Sequence, residues 1–400
     1  MDARINENRE ACIQADGTGA EDCLYLDIVK PDSIPPDTLL PIYFWIHGGS
    51  FRNGAAAYYP GDALAYSEEM IVVTIQYRLG PLGFLNYPRS MGNEVPLNIG
   101  LHDQRMALKF IHDHAESIGG DPSRITVAGE SAGSISVSAH AFAPPSSQFI
   151  AQTIQQSGTA ALGSPAEWTN LNIQKLVKDL CESISCPASD DFDEIIRYLR
   201  TIEFGSDDFT TMYFALSSSG ADIITDDREF FGGETLQEII DAKSFKVMPT
   251  VIFFVAFEGY VSIDTFPAMY NKDNFMDVWT DDMFLTLLMS HNNLTNEDKK
   301  ALTWRSFGRM SCDFPDETPA SFEEIDNTTA VRVALDIIGD LLFRGPSVKC
   351  ASEYHEVGAD TWVMHFDTIE DGSMLNKVLG ESLGPMNHND SSPLWSKERV

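Results

Sequence analysis

The amino-acid sequence predicts an α/β fold: a mostly parallel, doubly wound sheet with helices on both faces. Three observations carry this expectation. Runs of strand length are apolar throughout rather than alternating, as in Pro41-Ile-Tyr-Phe-Trp-Ile46 and Met70-Ile-Val-Val-Thr-Ile-Gln-Tyr77, the pattern of strands covered on both faces. Helical periodicities separate these runs. Finally, the run Ile125 to Ala128 passes directly into Gly129-Glu130-Ser131-Ala132-Gly133, a G-x-S-x-G turn. Its glycines permit a sharp strand-to-helix reversal.

The elements follow in order. Residues 1–20 are polar and read as loop. Leu24 to Val29 is a strand stopped by Pro31, and 32–38 is a turn. The Pro41 strand ends in His47-Gly48-Gly49-Ser50-Phe51. Asp103 to Ile118 has an amphipathic helical period closed by Gly119-Gly120. The strand and turn at 125–133 come next, then a helix to about Ala143 and a strand over Phe149 to Ile154. Residues 168–245 are more polar and mostly helical, and are expected to form a cap or insertion. Pro249 to Ala256 returns to a core strand ending at Phe257-Glu258-Gly259. A helix is expected around Asn327 to Leu342, and Thr361 to Phe366 is the last strand. Four hundred residues are compatible with a single large α/β domain over 1–400.

The bulk numbers exclude several classes. Hydrophobic content of 43% and charged content of 22% are globular values. A net charge of −33 leaves no basic footprint for nucleic acid or an anionic membrane. No apolar run reaches membrane-spanning length, so no integral membrane segment is expected. The start, Met1-Asp-Ala-Arg-Ile-Asn-Glu-Asn, lacks an apolar core, so no signal peptide is expected. Sequons at Asn293, Asn327 and Asn389 are candidate N-glycosylation sites and point towards the secretory pathway. The six cysteines lack zinc or redox spacing. Cys12 with Cys23, and Cys181 with Cys186, are each placed to close a short loop. Cys312 and Cys350 have no evident partner beyond each other.

A serine hydroxyl needs a general base, a group that orients the base, and N–H donors for the developing oxyanion. Ser131, at the tip of the turn, is the candidate nucleophile. The glycine-rich turn after the Pro41 strand supplies candidate donors, the N–H groups of Gly49 and Ser50, with that of Ala132 as the third. Ser50 keeps the N–H but has less backbone freedom than glycine. The acid should follow a later core strand, and Glu258 does. The base should come later still. His291 lies in a polar sequon stretch, His355 in a charged segment and His365 in mid-strand. His388 lies in a Gly/Asn/Asp loop beyond the last strand and fits best. His112 and His114 sit at i and i+2, on different sides of a helix, and are not a metal pair. The acids Asp190, Asp191, Asp193 and Glu194 lack the glycine and closing glutamate of a calcium loop and read as a helix start. Neither metal nor cofactor is expected.

With these residues in place, the chain resembles the type-B carboxylesterase family, which includes cholinesterases and the non-enzymatic neuroligins. The matching motifs are Glu21-Asp22-Cys23-Leu24-Tyr25-Leu26, His47-Gly48-Gly49-Ser50-Phe51, Tyr77-Arg78-Leu79-Gly80, Asn98 to Arg105, Gly120-Asp121-Pro122, Gly129-Glu130-Ser131-Ala132-Gly133 and Gln156-Ser157-Gly158. The resemblance implies an α/β-hydrolase fold, and its late Glu-Gly and C-terminal histidine land on Glu258 and His388. It implies a structural ion pair between Arg78 and Asp103, a supporting role for Ser157 beside the triad, and a structural Cys12–Cys23 disulfide. The family's second bridge would join Cys186 to the position held by Tyr198, so a Cys181–Cys186 bridge is the candidate substitute. His388-Asn-Asp-Ser-Ser-Pro-Leu-Trp395 is similar to the H-x-D-D form of arthropod carboxylesterases, with Ser391 in place of the second Asp. The usual D-E-G is Phe257-Glu258-Gly259, and the Cys12–Cys23 loop holds no Trp for a choline site. Against the family's opening strands, signal peptide and longer C-terminal part, the sequence reads as a fragment or an unusually short member.

The expected activity is serine carboxylester hydrolysis through an acyl-enzyme on Ser131, with a small-molecule or lipid ester as substrate. Two rival readings share parts of the pattern. A catalytically silent neuroligin-like binding protein would typically lose the nucleophile. A hormone-sensitive-lipase-like enzyme would share the H-G-G turn but lack Glu21-Asp22-Cys23-Leu24-Tyr25-Leu26. The pattern leaves oligomeric state open.

Overall fold

The computed structural model describes residues 10–32, 38–85, 96–160, 170–184, 191–217, 223–255 and 339–366, with Tyr87, Gly92, Cys186, Pro187, Ser189, Glu258, Glu398 and Arg399. The chain divides into two compact units. One holds Met1–Ile252, Lys349–Trp362 and Arg399–Val400; the other holds Phe253–Val348 and Val363–Glu398.

The strands are β1 (Leu26–Val29), β2 (Leu40–Ile46), β3 (Ile71–Ile75), β4 (Gly120–Glu130), β5 (Gln152–Gln156), β6 (Thr250–Val255), β7 (Thr361–Phe366) and the two-residue β8 (Glu398–Arg399). Their order is β1-β3-β2-β4-β5-β6-β7-β8. β2, β3, β4 and β5 run parallel, and β1 pairs antiparallel with β3. All five residues of β3 are buried, as an uninterrupted apolar strand inside a covered sheet requires. Register then determines what meets at the top of the sheet. Ile46 of β2 pairs with Gly129 of β4, and Gly129 pairs with Gln155 of β5. The segments leaving these strands, at His47, Ser131 and Ser157, therefore emerge side by side at their carboxyl ends, where open α/β sheets carry their sites.

The helices are α1 (Asp62–Ser67), α2 (Gly80–Phe84), α3 (Ile99–Ile118), α4 (Ala132–Phe142), α5 (Pro144–Ser147), α6 (Asn170–Ser183), α7 (Phe192–Leu199), α8 (Asp207–Ser217), α9 (Leu236–Ala242) and α10 (Gly345–Glu356). Helix α3 starts four residues before its amphipathic period. Asn98 holds the left-handed conformation (φ 51°) at its N-cap, and its side chain bonds the Ile224 N–H, the Ile224 carbonyl and Asp227. Strand β5 starts three residues later than expected. Phe149 and Ile150 instead close the turn after α5, their N–H groups on Ser146 and Ser147. A short apolar run does not distinguish a strand from a buried turn.

The 168–245 segment carries α6 to α9, joined by turns, in the first unit. Val177, Leu180, Phe192, Ile196, Phe209 and Met212 pack in one apolar cluster. Asp191 caps α7 by accepting from the N–H groups of Asp193 and Glu194, so the acidic run there is a helix start.

Helix α3 is tied to the chain after β3 by Arg78 and Asp103. Asp103 is buried and accepts from Arg78 Nε (2.8 Å), Nη2 (2.6 Å) and the Arg78 backbone N–H (3.1 Å). Asp103→Ala removes all three hydrogen bonds, while the half-exposed Arg78 side chain can rehydrate. Urea denaturation should show a loss of about 2–3 kcal/mol, below the cost of stranding a fully buried partner.

Candidate active site

Ser131 occupies the junction between β4 and α4 with φ 54° and ψ −123°, a conformation that non-glycine residues rarely hold and that costs on the order of 1–3 kcal/mol. It persists because the surroundings over-determine it. The Ser131 N–H donates to Gln156 O (2.8 Å), its carbonyl accepts from Ile135 N (3.0 Å), and β4 and β5 are paired up to Glu130 and Gln156. Half-buried, Ser131 stands where the first turn of α4 leaves N–H groups without intrahelical acceptors.

The turn after β2 lies directly against it. A Cβ on Gly48 would fall 2.6 Å from the Glu130 carbonyl and 3.1 Å from Ser131 Cβ. A Cβ on Gly133 would fall 2.1 Å from the Ile46 carbonyl. Backbone meets backbone here, and no other residue type allows it. The turn runs through three successive positive φ values, Gly49 (112°), Ser50 (55°) and Phe51 (57°). The reduced freedom expected of Ser50 is thus a real demand, and Phe51 shares it. Phe51 is pinned by burial, by its ring 4.5 Å from that of Phe84, and by its carbonyl accepting from Gly80 N (2.7 Å). Among the described residues, the N–H groups of Gly49, Ser50 and Ala132 have no acceptor.

Sequence reasoning missed the residues that hold this turn. The Cys12–Cys23 disulfide is formed, and the loop it closes clasps the turn. Gln14 accepts from Gly54 N (2.7 Å) and donates to Gly54 O (3.0 Å), and Ala15 N donates to Asn53 Oδ1 (3.0 Å). These contacts join residues some forty positions apart, so no local periodicity betrays them. His47 supports the other side. Its ring stacks on Tyr77 (4.4 Å), and the Tyr77 hydroxyl donates to the His47 carbonyl (2.7 Å). His47 Nδ1 lies 2.9 Å from the Gly48 carbonyl. A carbonyl only accepts, so the proton is on Nδ1 and the buried Nε2 carries a lone pair. Burial pushes His47 down to about 4, against the pull of that hydrogen bond.

Ser157 holds φ 57° at the end of β5, one residue beyond the Gln156 carbonyl that accepts from Ser131 N. Ser134 Oγ donates to Gly158 O (2.6 Å), tying this turn to α4. In the other unit, Glu258 is buried after β6, and its Oε1 accepts from Val255 N (2.8 Å). His365 lies exposed on β7 beside Phe254, and His355 is exposed in the last turn of α10. His112 leans on Phe149, whereas His114 stacks on Phe110.

Candidate residues His388, His291, Asn293, Asn327, Asn389 and Cys312 lie outside the described residues. Cys181 and Cys186 are thiols rather than a bridge. The turn between them is closed instead by the Cys186 N–H on the Cys181 carbonyl (3.0 Å), and the Tyr198 hydroxyl donates to Ile184 O (3.2 Å). Cys350 is a buried thiol facing Ser138 and Gln155. No helix among the described residues is long and apolar enough to cross a membrane.

Two outcomes test this geometry. The unfolded chain protonates His47 below about pH 6.5, whereas the folded chain resists until about 4. The stability tied to His47 is therefore complete above pH 6.5 and is lost as pH falls towards 4, at about 1.4 kcal/mol per unit. Urea titrations between pH 4.5 and 7 should show His47→Asn flattening that slope. Gln14→Ala should cost about 1–2 kcal/mol in the same assay, since it strands both polar groups of Gly54.

The carboxylesterase family model matches residues 3–396. The chain is 30% identical to liver carboxylesterase 1 of Oryctolagus cuniculus over 357 residues, covering 87% of this chain and 60% of that protein. It is 31% identical to acetylcholinesterase of Bungarus fasciatus over 360 residues, 87% of this chain and 55% of that one. Over a shorter 172 residues it is 42% identical to pyrethroid hydrolase Ces2e of Rattus norvegicus, covering 42% of this chain and 30% of that protein. The chain thus spans under two thirds of the length of these relatives. With the family model matched almost end to end and the serine turn built as described, the chain belongs to the carboxylesterase family.

Proposed function

We propose that the chain is a serine carboxylester hydrolase acting through an acyl-enzyme on Ser131. The observation that carries this reading is the strained Ser131, held at the carboxyl end of β4 with the Gly48–Ser50 turn packed against it and unaccepted N–H groups on both sides. Such donors stabilise charge that develops only in the transition state, and they require no reorganisation when it does.

In this reading Ser131 Oγ attacks the ester carbonyl carbon while His388 takes its proton. The N–H groups of Gly49, Ser50 and Ala132 hold the resulting oxyanion. The ester C–O bond then breaks, His388 returns the proton to the leaving alcohol, and the acyl group remains on Ser131. Water, deprotonated by His388, then attacks the acyl carbon; the bond from that carbon to Ser131 Oγ breaks, the acid leaves, and His388 returns the proton to Ser131 Oγ. Glu258 orients His388 and stabilises its cation, and Ser157 steadies the Ser131 turn. The relatives' names, liver carboxylesterase and pyrethroid hydrolase, favour a carboxylic ester as substrate.

The test is turnover of p-nitrophenyl acetate or butyrate together with labelling by a fluorophosphonate. Wild type should hydrolyse the ester and carry the adduct on Ser131. Ser131→Ala should lose labelling and lower kcat by at least about 10⁴-fold, with His388→Ala and Glu258→Gln lowering it by about 10²-fold or more. A folded sample with neither turnover nor adduct would remove the proposal.

A further inference from the structure

Behind the Ser131 turn, α3, α4 and α5 enclose a line of polar side chains that the proposed chemistry does not use. Gln104, Ser136, His140 and Ser146 are fully buried. His140 Nδ1 lies 2.9 Å from Ser146 Oγ, and Nε2 lies 3.0 Å from Gln104 Oε1. Gln104 Nε2 is 3.1 Å from Ser136 Oγ, which is 2.9 Å from the Ala132 carbonyl. At the far end, Arg105 Nε bonds Ser146 Oγ (2.7 Å) and Nη2 bonds the Phe230 carbonyl (2.5 Å), with the guanidinium 4.1 Å from the Phe230 ring centre.

The proton positions follow from the two ends. The Ala132 carbonyl only accepts, so the single hydroxyl proton of Ser136 goes to it. Ser136 Oγ must then accept from Gln104, which sets the Gln104 amide with its nitrogen towards Ser136 and its oxygen towards His140. That oxygen also only accepts, so His140 carries a proton on Nε2. Complete burial, then the nearby Arg105 and His102, hold His140 well below its ordinary range and hence neutral. Nδ1 therefore accepts, the Ser146 hydroxyl donates to it, and Ser146 accepts from Arg105. Arg105 is itself lowered by burial only to about 10 and stays cationic. Every bond points the same way, from the guanidinium to the first turn of α4, and bonds aligned head to tail polarise and strengthen one another in a low-dielectric interior.

We propose that His140 is a positioning residue for the oxyanion donors: through Gln104 and Ser136 it fixes the first turn of α4 and so aims the Ala132 N–H. This rests on the esterase reading, but its test is separable. In His140→Gln and Ser136→Ala, active sites are counted by fluorophosphonate titration, so that loss of folded protein is removed from the rate. Per titrated site, kcat should fall about five- to tenfold, KM should stay within about twofold, and the Ki of a trifluoromethyl ketone, whose hemiketal alkoxide uses the same donors, should rise with the fall in kcat. Ser136→Ala is the milder change, leaves no large cavity, and keeps the test usable if His140→Gln does not fold. A per-site kcat within twofold of wild type in Ser136→Ala, or a fall that the ketone Ki does not follow, overturns the proposal. Independently of turnover, ¹⁵N-histidine spectra should show His140 as the neutral Nε2–H tautomer from pH 5 to 8. A charged or Nδ1–H imidazole there also overturns it. If wild type neither turns over ester nor takes the label, the esterase reading fails, and the spectra still decide the proton order.

Discussion

The Ile46–His47 backbone lies against the first turn of α4 with no side chain between them, and the rest of the site depends on that contact. A methyl group on Gly133 would overlap the Ile46 carbonyl, and one on Gly48 would overlap Glu130. Contact this close is not gained by hydrophobic burial, which is non-directional. It is imposed by register, because Ile46, Gly129 and Gln155 are locked abreast by parallel pairing. Three devices then brace the segments around this contact. The disulfide loop acts through Gln14 on the outer side of the β2 turn, the Arg78–Asp103 pair joins α3 to the segment after β3, and the α3–α4–α5 hydrogen-bond line holds the base of α4.

Much of this was legible in the sequence, for physical reasons that differ by residue. Ser131 and the Gly48–Ser50 turn leave a mark because unusual backbone conformations and close approaches select glycine at fixed offsets. β3 is readable because burial on both faces demands an uninterrupted apolar run. The Cys12–Cys23 bridge followed from spacing and resemblance, whereas the same spacing logic for Cys181 and Cys186 met a turn already closed by a backbone hydrogen bond. Gln14, Asn53, Gln104, His140 and Ser146 were illegible. Polar pairs between distant segments have no period and no composition, and only the assembled fold brings them together.

His47 and His140 show two uses of imidazole that a search for general bases would misread. Each is fully buried, and each has its proton placed by an acceptor-only carbonyl or amide oxygen. They hold opposite tautomers, Nδ1–H for His47 and Nε2–H for His140. Both are depressed by desolvation, so both stay uncharged where an exposed histidine would titrate. Their role is to direct dipoles. The proton traffic of the proposed reaction falls to His388.

The disulfide loop carries one more consequence. Gln14 and Ala15 grip the turn beside Ser131 from within a ring closed by a single S–S bond. A ring opened by reduction frees some ten residues to explore other conformations, and that gain in chain entropy works against the grip. The serine would keep its place at the end of β4 while the turn facing it relaxed. The bond thus bears on the precision of the turn and not on the placement of the serine.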